Sequence, residues 1–372
     1  MKTTQRRVPK LALSGGPGGG KTKLAKFIAK KAAAKGYVAQ VVPEAATILM
    51  DSGVSPHGGR AKLLDFQHAV LKETLSRERF AEEALLAGGH EKPLLIFDRG
   101  VPDIGAYVSE NDYRSLLKEH GLSHHALSRD GRYDAVVYMR TAADGAERHY
   151  SNRSNKFRSE DLDAARALDR RTLDAWIGHQ HLSVVGNSYN SFRGKLEAGW
   201  REACRLLGIP EPREIEKRYL VKPVDFTALG IPHRTIDVTQ HYLALPRHND
   251  ETNRVRSWGE DGHATYTFTR KRMITPGEME EIEEHISETA FAQFTKYQDQ
   301  TTVAITKRRT CFVYKDQYFM YDEFLSGRPG LTVLEIEIAS QKSTVLLPPF
   351  VTVLEDVTFD REYSSRAIAE IT

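Results

Sequence analysis

The chain has 372 residues, 40% hydrophobic and 28% charged, with 53 Lys and Arg against 50 Asp and Glu for a formal net charge of +3. So small an excess gives no sign of a dedicated nucleic-acid binder, and no apolar run is long enough for a membrane span. The two cysteines, Cys204 and Cys311, lack metal-ligand spacing, and "LAL" after the basic start is too short for a signal-peptide core, so a cytoplasmic protein with reduced thiols is expected.

The length favours two domains, each able to bury a core. Up to about residue 207 short apolar runs alternate with helical stretches: "KLALSG", "TKLAKFIAKKAAAKG", "VAQVVPE", a helix from about Leu63 to Ala87, "PLLIFD" and "DAVVYMR". That alternation predicts an α/β domain with a parallel sheet covered on both faces. The stretch "GIPEP", Gly208–Pro212, breaks the pattern and predicts a boundary between domains at 1–209 and 210–372. Beyond it the segments are strand-like with period two: "EIEKRYLV", "RTIDVTQHYLAL", "NRVRSW", "ATYTFTRKR", "TTVAITKRRTCFVY", "QYFMYDEF" and "TVLEIEIA". One helix is predicted among them, over "PGEMEEIEEHISETAFAQF".

Gly15 to Thr22 reads "GGPGGGKT", with Gly15, Gly20, Lys21 and Thr22 in the fixed places of a P-loop and Gly18 and Gly19 between them. Lying between a strand and a helix, it can wrap phosphate with backbone N–H groups, while Lys21 reaches the β- and γ-phosphates and Thr22 ligates Mg²⁺. The strand "LLIFDRG" ends in Asp98, placed to hold that magnesium. Asp98 is followed by Arg99 and Gly100, without the glutamate that ring-forming motor ATPases use to activate water. P-loop, "VPEAA", "DRG" and an arginine-rich segment together resemble nicotinamide-riboside-kinase-like domains. The resemblance implies that Glu44 faces an acceptor substrate and that Arg148, Arg153 and Arg158 belong to a lid over the transferred phosphate.

In the second half the charges sort by parity. Glu214, Glu216 and Arg218 share one face, as do Arg254 and Arg256, then Thr267, Thr269 and Lys271, then Lys307 and Arg309, and finally Glu335 and Glu337, whose intervening Leu334, Ile336 and Ile338 point the other way. An antiparallel sheet with one wet face would carry such alternation, but a random wet face would not sort same-sign pairs onto four strands; if the sheet closes into a β-barrel, the charged face becomes a lumen suited to metal and a linear polyphosphate. "EIEKR" with "RVR", "KRR" and "LEIEI" resembles the CYTH superfamily, the triphosphate tunnel metalloenzymes, from about residue 213 to 366. The resemblance makes Glu214, Glu216, Glu335 and Glu337 metal-binding carboxylates, with Asp322 a further acid beside the nearby alternative Asp316. It makes Arg254, Arg256, Lys271, Lys307 and Arg309 triphosphate ligands. The signature lysine is replaced by Arg218, which keeps the charge but cannot serve as a base.

A kinase-like P-loop domain before a CYTH domain resembles the TRPL translocation defect protein family, linked to GTP and phosphoinositide binding, and also plant tunnel triphosphatases with a uridine-kinase-like domain. The expected function is NTP binding or hydrolysis with ATP or GTP, joined to hydrolysis of a triphosphate with Mg²⁺ or Mn²⁺. The catalytic candidates are Glu214, Glu216, Arg218 and Glu44. The alternative is a nucleotide-dependent binding module with little turnover, leaving contact with phosphoinositide or a membrane surface open. The paired histidines of "HHALS" and "GHQHL" lack a metal-binding register.

Overall fold

The computed structural model describes residues 7–129, 132–151, 160–245, 251–260 and 262–371. The chain forms two compact units, one ending at Leu207 and the other beginning at Gly208.

In the first unit the order is β1 (Lys10–Ser14), α1 (Lys21–Ala33), β2 (Val38–Val42), α2 (Ala45–Asp51), α3 (Arg60–Ala87), β3 (Pro93–Asp98), α4 (Glu110–Glu119), α5 (His124–Arg129), β4 (Ala135–Met139), α6 (Leu162–Asp174), β5 (Leu182–Val185) and α7 (Phe192–Leu206). The five strands pair in parallel in the order β2-β3-β1-β4-β5. Burial on both faces explains why β1, β3 and β4 are continuous apolar runs. Leu11, Leu13, Ile96 and Val137 pack with Leu24 and Ile28 of α1 and Trp200 of α7. A second core gathers Phe66, Val70 and Leu71 of α3 with Ile104 and Leu116. The central β1 ends where the chain departs to opposite sides of the sheet, the place where open α/β sheets bind ligands.

The second unit runs β6 (Arg213–Val221), α8 (Phe226–Leu229), β7 (His233–Leu243), β8 (Glu251–Glu260), β9 (His263–Thr275), β10 (Glu278–Ile286), α9 (Glu288–Phe294), β11 (Ile305–Tyr314), β12 (Gln317–Phe324), β13 (Thr332–Glu337), β14 (Val353–Asp356) and α10 (Ser365–Ala369). Its antiparallel sheet follows β10-β9-β8-β7-β11-β12-β13-β6 and closes through β10 on β6, an eight-stranded barrel to which β14 adds at the far end of β6. The outward parity supplies an apolar layer: Tyr219, Phe312, Phe319, Leu334, Ile336 and Ile338 pack under Phe226 and Val351.

One element departs from the sequence expectation. The stretch predicted as a single helix splits into strand β10 and the short α9, with Ser287 capping the N–H of Ala290 between them. Glutamate favours a helix by only tenths of a kcal/mol per residue. Against that, β10 makes nine register pairs with β9 and three with β6, without which the barrel stays open. Among the described residues no helix is long and apolar enough to cross a membrane.

Phe312 is fully buried and touches Phe226, Phe319 and Phe350. Phe312→Ala is expected to cost the barrel about 3–5 kcal/mol, read as an earlier urea transition. An unshifted transition would show that this outer layer does not hold the sheet.

Candidate functional site

The P-loop wraps the C-terminal end of β1. Gly15, Gly18 and Gly20 have φ of +141°, +74° and +96°. At Gly15 a Cβ would stand 2.1 Å from the carbonyl oxygen of Met139, so only glycine lets the loop lie against β4. Lys21, opening α1, folds back so that Nζ donates to the carbonyls of Gly15 at 2.7 Å and Gly16 at 3.1 Å. Burial, followed by the charge of Arg99, lowers its ammonium pKa to about 8. Thr22 Oγ1 donates to Asp98 Oδ2 at 2.5 Å, whereas Asp98 Oδ1 is buried without a protein partner. Burial first and then Glu44 raise the Asp98 carboxyl. A hydroxyl and a half-satisfied buried carboxylate are a donor set suited to Mg²⁺.

Glu44 follows β2 and accepts from Arg99 Nε at 2.5 Å. Burial alone would raise its carboxyl, but Arg99 and Lys21 outweigh that and lower it. Arg99 itself stands at φ +76°, an uncommon conformation for a residue with a side chain, and its Nη1 is buried without a hydrogen bond. These groups share a cavity of about 1750 Å³ with Gly18, Gly19, Gly20 and Arg148. Arg148 sits in a short 3-10 turn beside His149, while Arg153 and Arg158 lie outside the described residues.

Two carboxylates that the sequence did not single out hold this end of the sheet. Asp169 of α6 accepts from the N–H groups of Gly16 and Thr141, both at 2.9 Å, and from Arg140 Nη1 at 3.0 Å. Asp103 accepts from Ser14 Oγ, from Gly100 N at 2.9 Å and from Trp176 Nε1 at 3.1 Å. A buried aspartate on a helix carries no local signature, so neither was legible beforehand.

In the barrel the charged parity is buried. Arg254 Nη2 donates to Glu281 at 3.0 Å, and Lys271 bridges Glu214 and Glu281. Lys307 meets Asp322, and Arg309 grips Asp322 at 2.7 and 2.6 Å while also reaching Glu335. Glu281 and Glu283 come from β10, so reading that stretch as a helix concealed them. Burial and then Glu281 push the Glu214 carboxyl well up, and the resulting arrangement keeps Lys271 above its ordinary value because both glutamates outweigh its desolvation. Asp322, buried between Lys307 and Arg309, is held well below the carboxylate range despite its desolvation. Asp316 lies in the β11–β12 turn.

Not every candidate gathers as expected. Glu216 pairs in register with Glu337 and stands 3.4 Å from Arg218. The Arg218 guanidinium donates to the backbone carbonyls of Tyr363 at 2.7 Å and Thr358 at 3.1 Å, tying the C-terminal segment to β6. Among the described residues no group of three His, Cys, Asp or Glu is arranged to hold a metal. The barrel carboxylates are hard oxygen donors of the right chemistry, but as they stand they serve cations and do not form a cage.

Residues 10–190 match the family model described as AAA domain. A comparison with curated proteins found no match. Among solved structures, the inorganic triphosphatase NE1496 is 25% identical, covering 43% of this chain and 95% of its own, with a TM-score of 0.32. The PH1012 protein from Pyrococcus horikoshii OT3 is 20% identical, covering 35% of this chain and 80% of its own at a TM-score of 0.27. A conserved hypothetical protein from Pyrococcus furiosus is 22% identical over the same shares, at a TM-score of 0.28.

Proposed function

We propose that the chain handles phosphate twice: residues 1–209 bind a magnesium nucleoside triphosphate, ATP or GTP, and residues 210–372 bind and hydrolyse an inorganic or organic triphosphate. The observation that carries this reading is the burial of Arg254, Arg256, Lys271, Lys307 and Arg309 in one closed barrel, none with a side chain more than 15% exposed. Burying five cations costs several kcal/mol each unless compensated, and a linear polyanion compensates several at once.

In the first unit Lys21 and the loop N–H groups hold the phosphates, and Thr22 with Asp98 would hold Mg²⁺, which neutralises phosphate charge when bound. The cavity exceeds the 300–1000 Å³ or so of a single ligand site, leaving room for an acceptor beside Glu44 and Arg99. This supports phosphoryl transfer to a small molecule, with Glu44 facing the accepting group and Arg148 near the transferred phosphate.

In the barrel an entering triphosphate displaces carboxylates from their cations. Glu214, Glu216, Asp322, Glu335 and Glu337 are the groups that would then be open to Mg²⁺ or Mn²⁺; no catalytic step is assigned to that metal. The second reading, a binding module with little turnover, is favoured by Arg218. Permanently charged and engaged with two carbonyls, it cannot take a proton from water.

Nucleotide affinity is expected to depend on pH through Lys21. Bound phosphate favours the ammonium form, and the free protein loses that proton above about pH 8. Affinity for Mg-ATP and Mg-GTP should therefore be level from pH 6.5 to 7.5 and fall above pH 8, by at most about tenfold per unit. Lys21→Ala should remove that step and weaken binding by about 1.5–3 kcal/mol. Calorimetric titration across the range reads both effects: affinity that stays level to pH 9.5 shows that burial does not lower the Lys21 ammonium, and a Lys21→Ala variant that binds as tightly as the wild type at pH 7 removes Lys21 as a phosphate ligand.

Phosphate release from tripolyphosphate, ATP, GTP and thiamine triphosphate, with Mg²⁺ or Mn²⁺, separates the two readings of the barrel. Lys21→Ala should leave tripolyphosphate hydrolysis intact, whereas Arg309→Gln should lower it by about tenfold or more, since a charge-assisted contact is worth about 1.5–3 kcal/mol. Turnover should rise toward alkaline pH because Arg218 cannot act as a base. Tight binding without release by the wild type under every condition selects the binding module.

A further inference from the structure

The barrel cations are unequally committed. Arg254, Lys271, Lys307 and Arg309 each donate to at least one carboxylate. Arg256 makes no hydrogen bond among the described residues: Glu283 stands 3.8 Å from its Nη1, and its Nε is buried without a partner. Its side chain is nonetheless only 11% exposed.

An aromatic ring holds it instead. The guanidinium carbon of Arg256 lies 5.2 Å from the centroid of the Trp258 ring, and that of Arg309 lies 6.0 Å from the same ring. Trp258 is 3% exposed, and its Nε1 donates to Thr267 Oγ1 on neighbouring β9 at 3.3 Å, which fixes the plane of the indole. Arg254, Arg256 and Trp258 alternate along β8 and so share its inward face. A π-face attracts a cation without occupying its N–H donors, whereas a carboxylate occupies two of the five. The ring also offsets the repulsion between two neighbouring guanidinium groups.

We propose that Trp258 is a positioning residue for anion binding: it presents Arg256 with its donors free, which makes Arg256 the first cation of the barrel to engage an entering polyphosphate. The inference rests on the reading of the barrel as a polyphosphate site, and it assigns the indole a part in that site that its burial alone would leave to packing.

The test is tripolyphosphate affinity by calorimetry on the full chain, with Trp258→Leu and Trp258→Phe made in the wild type and in an Arg256→Gln background. Trp258→Leu should weaken binding about tenfold and Trp258→Phe, which keeps a π-face, less than about threefold. In the Arg256→Gln background the leucine substitution should cost less than about twofold, because it acts through Arg256. Equal losses in both backgrounds, or no loss in the wild type, overturn the proposal. Should Trp258→Leu fail to fold, incorporation of mono-, di- and trifluorinated tryptophan weakens the ring face at nearly constant volume. Affinity should then fall stepwise, with Mg-ATP binding by the first unit as the control for Trp176 and Trp200, and a flat series overturns the proposal. A wild type that does not bind tripolyphosphate overturns the polyphosphate reading and this inference together, whereas binding that ignores Trp258 overturns this inference alone.

Discussion

Closure of the barrel depends on a short seam. β10 meets β6 over three register pairs, Glu278 with Ile215, Met279 with Glu214 and Glu280 with Arg213. So few backbone bonds would be a weak latch, and side chains reinforce it on both faces. Inside, Lys271 of β9 bridges Glu214 of β6 and Glu281 of β10. Outside, Arg213 Nη1 donates to Glu278 at 2.8 Å. Everything proposed for the lumen follows from this seam, since an open sheet would leave the same charges in water, where such pairs are worth little.

The first unit solves a related problem by fixing backbone. Arg99 occupies left-handed space, which costs of order 1–3 kcal/mol for a residue with a Cβ, and the surroundings must over-determine it. Asp103 accepts from Gly100 N, the Tyr133 hydroxyl accepts from Val101 N at 2.8 Å, and Trp176 packs where any side chain at position 100 would stand. Tyr133 in turn donates to the buried Glu78 of α3 at 2.5 Å. The chain after β3 is thereby held so that Arg99 meets Glu44 in the cavity, and Asp169 secures the P-loop to β4 from the other side.

The P-loop was legible because its glycine spacing encodes backbone directions directly: the positive φ angles at Gly15, Gly18 and Gly20 leave few alternatives. The charged face of the barrel was legible through parity, since a period of two assigns every second residue to one face, and its closure into a lumen through the resemblance that the same-sign pairs carry. β10 was not, because Met279, Ile282 and Ile286 fall at helical spacing within a glutamate-rich run. Only pairing with β9 and β6 reveals that Met279 and Ile282 face opposite ways. Trp258 shares the parity of Arg254 and Arg256, so its place was implicit, but a tryptophan in a strand reads first as core. Asp103 and Asp169 act through contacts distant in sequence, which no local pattern records.

The pairing of acids with bases inside the barrel also bears on what the lumen can select. A ligand must replace the carboxylates that it displaces, because each cation or acid left unpaired in a buried site costs several kcal/mol. A single phosphate group engages one or two cations and frees an acid without compensating the rest. On the proposed reading, a chain of phosphates would span Arg256, Arg254 and Lys271 on neighbouring strands β8 and β9 together with Lys307 and Arg309 on β11, so the gains would accumulate while the acids on β6, β10, β12 and β13 are released as a group. In the proposed reading, selectivity for polyphosphate comes from this exchange, with the carboxylates acting as internal competitors that weaker anions fail to displace.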